Sequence, residues 1–178
     1  MTKFKTSDLT KIALFAAVIV VLSQISIPMP YGVPMTLQTF IIPLTGVLLG
    51  KKSGTVATLL YVLLGLIGLP VFAGFSGGAA VVFGPTGGFI LSFPIMAYIS
   101  GAFAERDNPF SLYLGLSLSA IINFVVGFVM FHFVAGSSLS VAFTATVLPF
   151  IPTTIIKVIL IVLISQKLRP LVQRKAMA

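Results

Sequence analysis

Apolar runs of bilayer-crossing length recur along this chain, and the last of them, IPTTIIKVILIVLIS (Ile151–Ser165), holds a lysine, Lys157, near its middle. The runs are continuously apolar, whereas the strands of a transmembrane barrel alternate apolar with polar residues. A soluble domain carries about 25% charged residues. This chain carries 8%, with 58% hydrophobic residues and a mean hydropathy of +1.17. It reads as an all-α integral membrane protein. At about 20 residues per span, 178 residues with short loops allow six transmembrane helices in a single domain, 1–178, and leave no room for a soluble catalytic domain.

The composition also excludes several chemistries. With no cysteine, disulfides, thiol catalysis and cysteine metal sites are out. One histidine and three acids (Asp8, Glu105 and Asp107) cannot build an ordinary zinc or two-carboxylate site in a membrane. The net charge of +8 could suggest nucleic acid, but the basic residues sit singly or in small groups at helix ends, which is the pattern of topology signals. The stretch GVLLGKKS (Gly46–Ser53) resembles a phosphate-binding loop. It is one residue short between Gly46 and Gly50-Lys51, and Lys52 rather than a hydroxyl follows the lysine. Neither an ATP site nor a resident cofactor is expected.

Met1–Lys11 is basic and Ile12–Leu22 apolar, which imitates a secretory signal with Val21-Leu22-Ser23 as a cleavage context. Removal would leave an odd number of spans, so the segment is read as the first helix, about Ser7–Ile27, with Ser7 able to cap it. Its small residues Ala13, Ala16 and Ala17 make a smooth stripe on which a helix of this chain or another can pack. Pro28, Pro30 and Pro34 then force a non-helical loop over Ile27–Met35. The second helix is expected at Thr36–Gly50, containing Gln38, and the third at Gly54–Leu69.

The longest irregular stretch follows, Pro70–Gly88, with six glycines and no charge. Irregular backbone at membrane depth survives only where it is buried in protein or lines a cavity, and glycine allows close approach of backbone to a ligand. Val71, Phe72, Phe75, Val81, Val82 and Phe83 would lie exposed in a floppy loop, so a structured binding loop is expected. The last three helices fall at about Phe89–Ala104, Phe110–Val134 and Pro149–Leu168. They are separated by a hydrophilic turn, Glu105–Pro109, and a Gly/Ser loop near Ala135–Ser140. In the fifth helix, Asn123 can bind a ligand or join helices, and His132 reads as an interface residue.

Arg and Lys accumulate on the cytoplasmic side of a membrane. Alternate segments hold Lys3, Lys5 and Lys11; Lys51 and Lys52; Arg106; and Lys167, Arg169, Arg174 and Lys175, while the three other loops hold none. Ten of the eleven basic residues thus fall on one side, and both termini are expected to be cytoplasmic. The eleventh is Lys157. A lysine near mid-membrane costs roughly 2.5–3.5 kcal/mol on insertion scales, and the three acids all sit in the cytoplasmic segments. Its partner is expected to be the carboxylate of a small solute entering an outward-facing cavity. The alternative is a lysine that snorkels to the outer headgroups.

With the loops in place, the pattern resembles the BioY family, the biotin-binding S components of energy-coupling factor (ECF) transporters. The motifs that carry the resemblance are Pro34-Met35-Thr36-Leu37-Gln38-Thr39, Gly65–Phe72, Gly77-Gly78-Ala79-Ala80 with Phe83–Gly88, and Pro152 through Lys157. The resemblance implies a six-helix fold in the bacterial cytoplasmic membrane that holds one biotin near the outer surface. It implies that Ala13 and Ala17, with Ala16 in the same stripe, dock on a transmembrane T component whose two ATPases supply the energy. By position, Lys157 would pair with the valerate carboxylate. Thr154 stands where the family often has aspartate, and Ser76 where some members have asparagine. Gly77, Gly78, Gln38, Asn123 and Phe75 complete the expected substrate-binding set. Three other readings stay open: an S component for another anionic vitamin, a stand-alone carrier, and, least supported by the residues, an intramembrane enzyme.

Overall fold

The computed structural model describes residues 4–106 and 108–174; Lys3, Asp107 and Lys175 lie outside the described residues. In chain order the elements are α1 (Thr6–Ser23), β1 (Ser26–Ile27), β2 (Met35–Thr36), α2 (Gln38–Leu66), α3 (Ala79–Val82), α4 (Gly87–Ala104), α5 (Pro109–Ala135), α6 (Leu139–Thr146) and α7 (Ile151–Arg174). Among the described residues, five helical stretches are long and apolar enough to cross a membrane.

One of the five, α2, is not a single rod. Along a straight helix Gln38 and Tyr61 would stand about 35 Å apart at roughly 1.5 Å per residue, yet Gln38 Nε2 donates to Tyr61 Oη at 2.7 Å. The fold-back is at Gly50, whose φ of 79° and ψ of 168° only glycine adopts readily. The arms 38–49 and 51–66 therefore run antiparallel, and with α1, α4, α5 and α7 they make six crossing segments. Two separate helices with a turn at Lys51-Lys52 were expected. The chain turns within one residue instead, so Lys51 and Lys52 are helical.

Other boundaries move for local reasons. Ser7 is not the cap of α1: Asp8 accepts from the backbone N–H of Lys5 at 3.0 Å and so starts the helix. α1 stops at Ser23 because the chain beyond it pairs, Ser26 with Thr36 and Ile27 with Met35, in a two-residue antiparallel ladder that closes the proline loop. α5 starts as its sequence dictates, with Asn108 accepting from Phe110 N–H at 2.9 Å and Pro109 in the first turn. Part of the expected Gly/Ser loop is the short helix α6, capped by Ser138. α7 runs through Pro170 to Arg174, past the expected end at Leu168.

The core lies where α4 packs along both arms of α2, with Ile42, Leu48, Tyr61, Phe93 and Ala97 fully enclosed. Outer surfaces remain apolar, as at Leu14, Val21, Leu63, Val125 and Leu163, which suits a lipid solvent. α1 buries Ile12, Ala16, Ile19 and Ser23 and exposes Ala13 and Ala17. Ala16 is thus a correction: at 3% exposure it packs inside this bundle and cannot meet a partner helix.

The charges gather at one end. Lys51 Nζ meets Glu105 at 2.9 Å, and Glu105 also accepts from Lys51 N–H. Arg169 acts on the same carboxylate, and Lys11 Nζ donates to Val172 O at 2.7 Å. Partial burial alone would raise the Glu105 pKa, but the hydrogen bonds and charge of Lys51 outweigh it and hold the carboxyl below its ordinary value. The start of α1, the Gly50 hinge, the α4–α5 turn and the end of α7 are therefore neighbours.

Candidate substrate-binding site

At the other end of the bundle a cavity of about 110 Å³ is enclosed by four parts of the chain. The proline loop gives Val33, Pro34 and Thr36, and the first turn of α2 gives Gln38 and Thr39. The glycine loop gives Phe72, Ala73, Ser76, Val81 and Thr86. Helices complete the wall with Phe89, Ile90 and Phe93 of α4, Asn123 and Phe124 of α5, and Phe150 and Thr154 at the α7 start. A larger groove, about 650 Å³, lies along α5, α6 and α7, but its walls are almost wholly hydrocarbon. Convergent polar groups rather than size mark a binding site, and these belong to the smaller cavity.

Lys157 stands one turn beyond Thr154 on the same face of α7. Its ammonium donates to Thr36 O and to Thr39 Oγ1, each at 2.8 Å, so it reaches inward, behind the cavity wall, and does not snorkel to the headgroups. Both acceptors are uncharged. Thr39 also lies in the first turn of α2, at the positive end of the helix dipole, where the N–H groups of Gln38 and Phe40 are already taken by Thr36 Oγ1 and Leu37 O. An ammonium beside a helix N-terminus is a pair of like charges.

Two amides frame the rest. Gln38 Oε1 accepts from Thr36 Oγ1 at 3.0 Å while its Nε2 bonds Tyr61, which fixes the side chain beneath the proline loop. Asn123, 1% exposed, donates to Phe89 O at 3.1 Å and Ser92 Oγ at 2.8 Å, joining α5 to α4. Both of its N–H groups are used, so its carbonyl oxygen is the group left for a ligand.

Of the residues expected at the site, Gln38, Ser76, Asn123 and Thr154 line the cavity and Lys157 backs it. Gly77, Gly78 and Phe75 do not. Gly77 is pressed against Leu69 O, which stands 2.2 Å from where a Cβ would be, and Gly78 N–H is spent on Gly65 O at 2.7 Å. These glycines shape the loop and are not part of the cavity lining. Phe75 is 72% exposed and Phe83 62%, and neither lines the cavity. His132 pairs with Ser137 O, outside the cavity. Thr39 and Thr86 were passed over although each sits inside a quoted motif. Phe89, Phe93 and Phe124 had no signal, because both faces of a membrane helix are apolar.

A bundle of membrane-crossing helices with a small, partly polar cavity near one end is the form of an integral membrane protein with room for a solute. The family model described as "BioY family" matches residues 1–174, and the chain belongs to that family. "Biotin transporter BioY" of Thermotoga maritima is 40% identical over 168 residues, 92% of this chain and 96% of that protein. "Probable biotin transporter BioY" of Pyrococcus horikoshii is 38% identical over 165 residues, 93% and 98% of the two chains. Among solved structures, "the S-component for biotin from an ECF-type ABC transporter" superposes with a TM-score of 0.86 at 32% identity, over 94% of this chain and 95% of that one. The expected S-component fold of a multi-pass membrane protein is the fold observed.

Proposed function

We propose that this chain captures biotin at the outer face of the cell membrane and delivers it across, as the substrate-binding (S) subunit of an ECF-type transporter. The names of its relatives and of its structural neighbour support the ligand. Within the chain the reading is carried by Lys157, an ammonium held beside a helix N-terminus with only neutral acceptors. Biotin brings the missing carboxylate, together with an apolar chain and thioether ring and a ureido group. The phenylalanines of the wall suit the middle part. Gln38, Asn123, Ser76 and Thr154 offer donors and acceptors to the ureido end.

The basic end of the bundle faces the cytoplasm in this reading, which turns the cavity outward and puts both termini inside. Ala13 and Ala17, exposed on α1, form the face for a transmembrane T component, and two ATPase subunits provide the energy. The reading gives this chain no reaction of its own to catalyse.

Titration of the purified chain with biotin tests the ligand. Saturable one-site binding, undisturbed by other carboxylate vitamins, is expected; absence of binding rejects the reading. Ala17→Trp should leave that binding unchanged and abolish co-purification with the T component. Uptake that persists after removal of the T and ATPase subunits would mean a stand-alone carrier.

A further inference from the structure

Residues 71–76 form one wall of the cavity through Phe72, Ala73 and Ser76. They make a tight turn, closed by Phe72 N–H to Ser76 O and Ser76 Oγ to Ala73 O, both at 2.9 Å. At its tip Gly74 and Phe75 both take left-handed backbone, with φ of 68° and 56°. Glycine does so freely, but a bulky residue does so only under constraint. The Phe75 ring, largely exposed, contributes little packing to hold it there. Besides the two bonds that close the turn, a constraint comes from outside it.

It comes from Gln24, the residue that ends α1. Gln24 Oε1 accepts from Phe75 N–H at 2.9 Å, and Nε2 donates to Val71 O and to Val20 O, each at 3.0 Å. One side chain thus ties the start and the tip of the turn to α1, and it needs a donor and an acceptor to do so. Gln24 itself does not line the cavity.

We propose that Gln24 is a positioning residue for the solute site: by holding Phe75 in its left-handed conformation it keeps Phe72 and Ser76 in the cavity wall. The inference rests on the reading of this cavity as the biotin site. It also gives α1, whose exposed face carries Ala13 and Ala17, a direct mechanical link to that wall.

Two variants test it, Gln24→Leu and the double variant Gln24→Leu/Phe75→Gly, each compared with the parent by amide hydrogen exchange without ligand and by the dissociation rate of labelled biotin. In Gln24→Leu the Phe75 and Phe72 amides should exchange at least about tenfold faster, with amides of Ile42 and Val62 unchanged, and biotin should leave roughly tenfold faster. Glycine at 75 accepts a positive φ at no steric cost, so the double variant should release biotin within about threefold of the parent rate. The proposal is overturned by a Phe75 amide that stays protected in Gln24→Leu. It is equally overturned by loss of protection throughout the core, or by a double variant no slower than the single one. The exchange arm needs no ligand, so a chain that ignores biotin would refute the site's assignment and leave the loop result to be judged separately.

Discussion

Lys51 and Lys157 sit at opposite ends of the bundle and are satisfied in opposite ways. Lys51, its side chain 37% exposed, has a carboxylate at 2.9 Å within the chain. Lys157 is half-buried and donates only to a backbone carbonyl and a hydroxyl, next to the positive end of a helix. An ion pair near water is worth about 0–1 kcal/mol, so the first lysine fixes a turn and little more. A lysine held inside a membrane bundle costs more than that, and neutral acceptors offset only part of the cost. On the proposed reading, the contrast separates a charge that belongs to the fold from one that meets a ligand's carboxylate.

The largest effect that would break this contrast is expected at Lys157. Lys157→Ala should weaken biotin binding by about 3 kcal/mol, roughly 150-fold, in an equilibrium titration of the folded variant. Next comes the hinge, where Gly50→Ala forces a Cβ into a backbone region reserved for glycine and to 3.1 Å from Glu105 Oε1. A stability loss of about 2 kcal/mol is expected, seen as a lower unfolding midpoint in detergent. Gln38→Leu removes a partner from Tyr61, which is completely buried. About 1.5 kcal/mol of stability should go with it, together with part of the ureido contact.

Glu105→Gln should change least, with binding untouched and a barely lowered midpoint. The carboxyl's folded pKa is depressed, so its contribution is present above its ordinary value of 4.5 and fades as pH falls through the lower folded value. The parent should therefore lose its small advantage over the Gln variant as pH falls below 4.5, in midpoints measured against pH.

Much of this is legible in the sequence. Proline and glycine clusters located both loops that close the cavity, and the spread of Arg and Lys marked the ends of the spans. Lys157 declared itself by its cost. What failed to show has a common cause. In lipid both faces of a helix are apolar, so periodicity could not say that Ala16 turns inward while Ala13 and Ala17 turn outward, or that Phe89 and Phe124 line the cavity. The glycine loop was recognised as structured, but its composition could not tell residues that fold it, Gly77 and Gly78, from one that lines the site, Ser76. Gln24 escaped notice because its partners lie 47 and 51 residues along the chain. The fold-back after the second helix is legible, but its place is shifted, because the single residue Gly50 makes it and Lys51-Lys52 stay helical.

The most direct test of the reserved charge is a two-by-two titration of the parent and Lys157→Ala with biotin and with its methyl ester. The account predicts that the parent prefers the free acid by roughly 30-fold or more, and that the variant binds acid and ester alike. A variant that still prefers the acid as strongly as the parent does would contradict it.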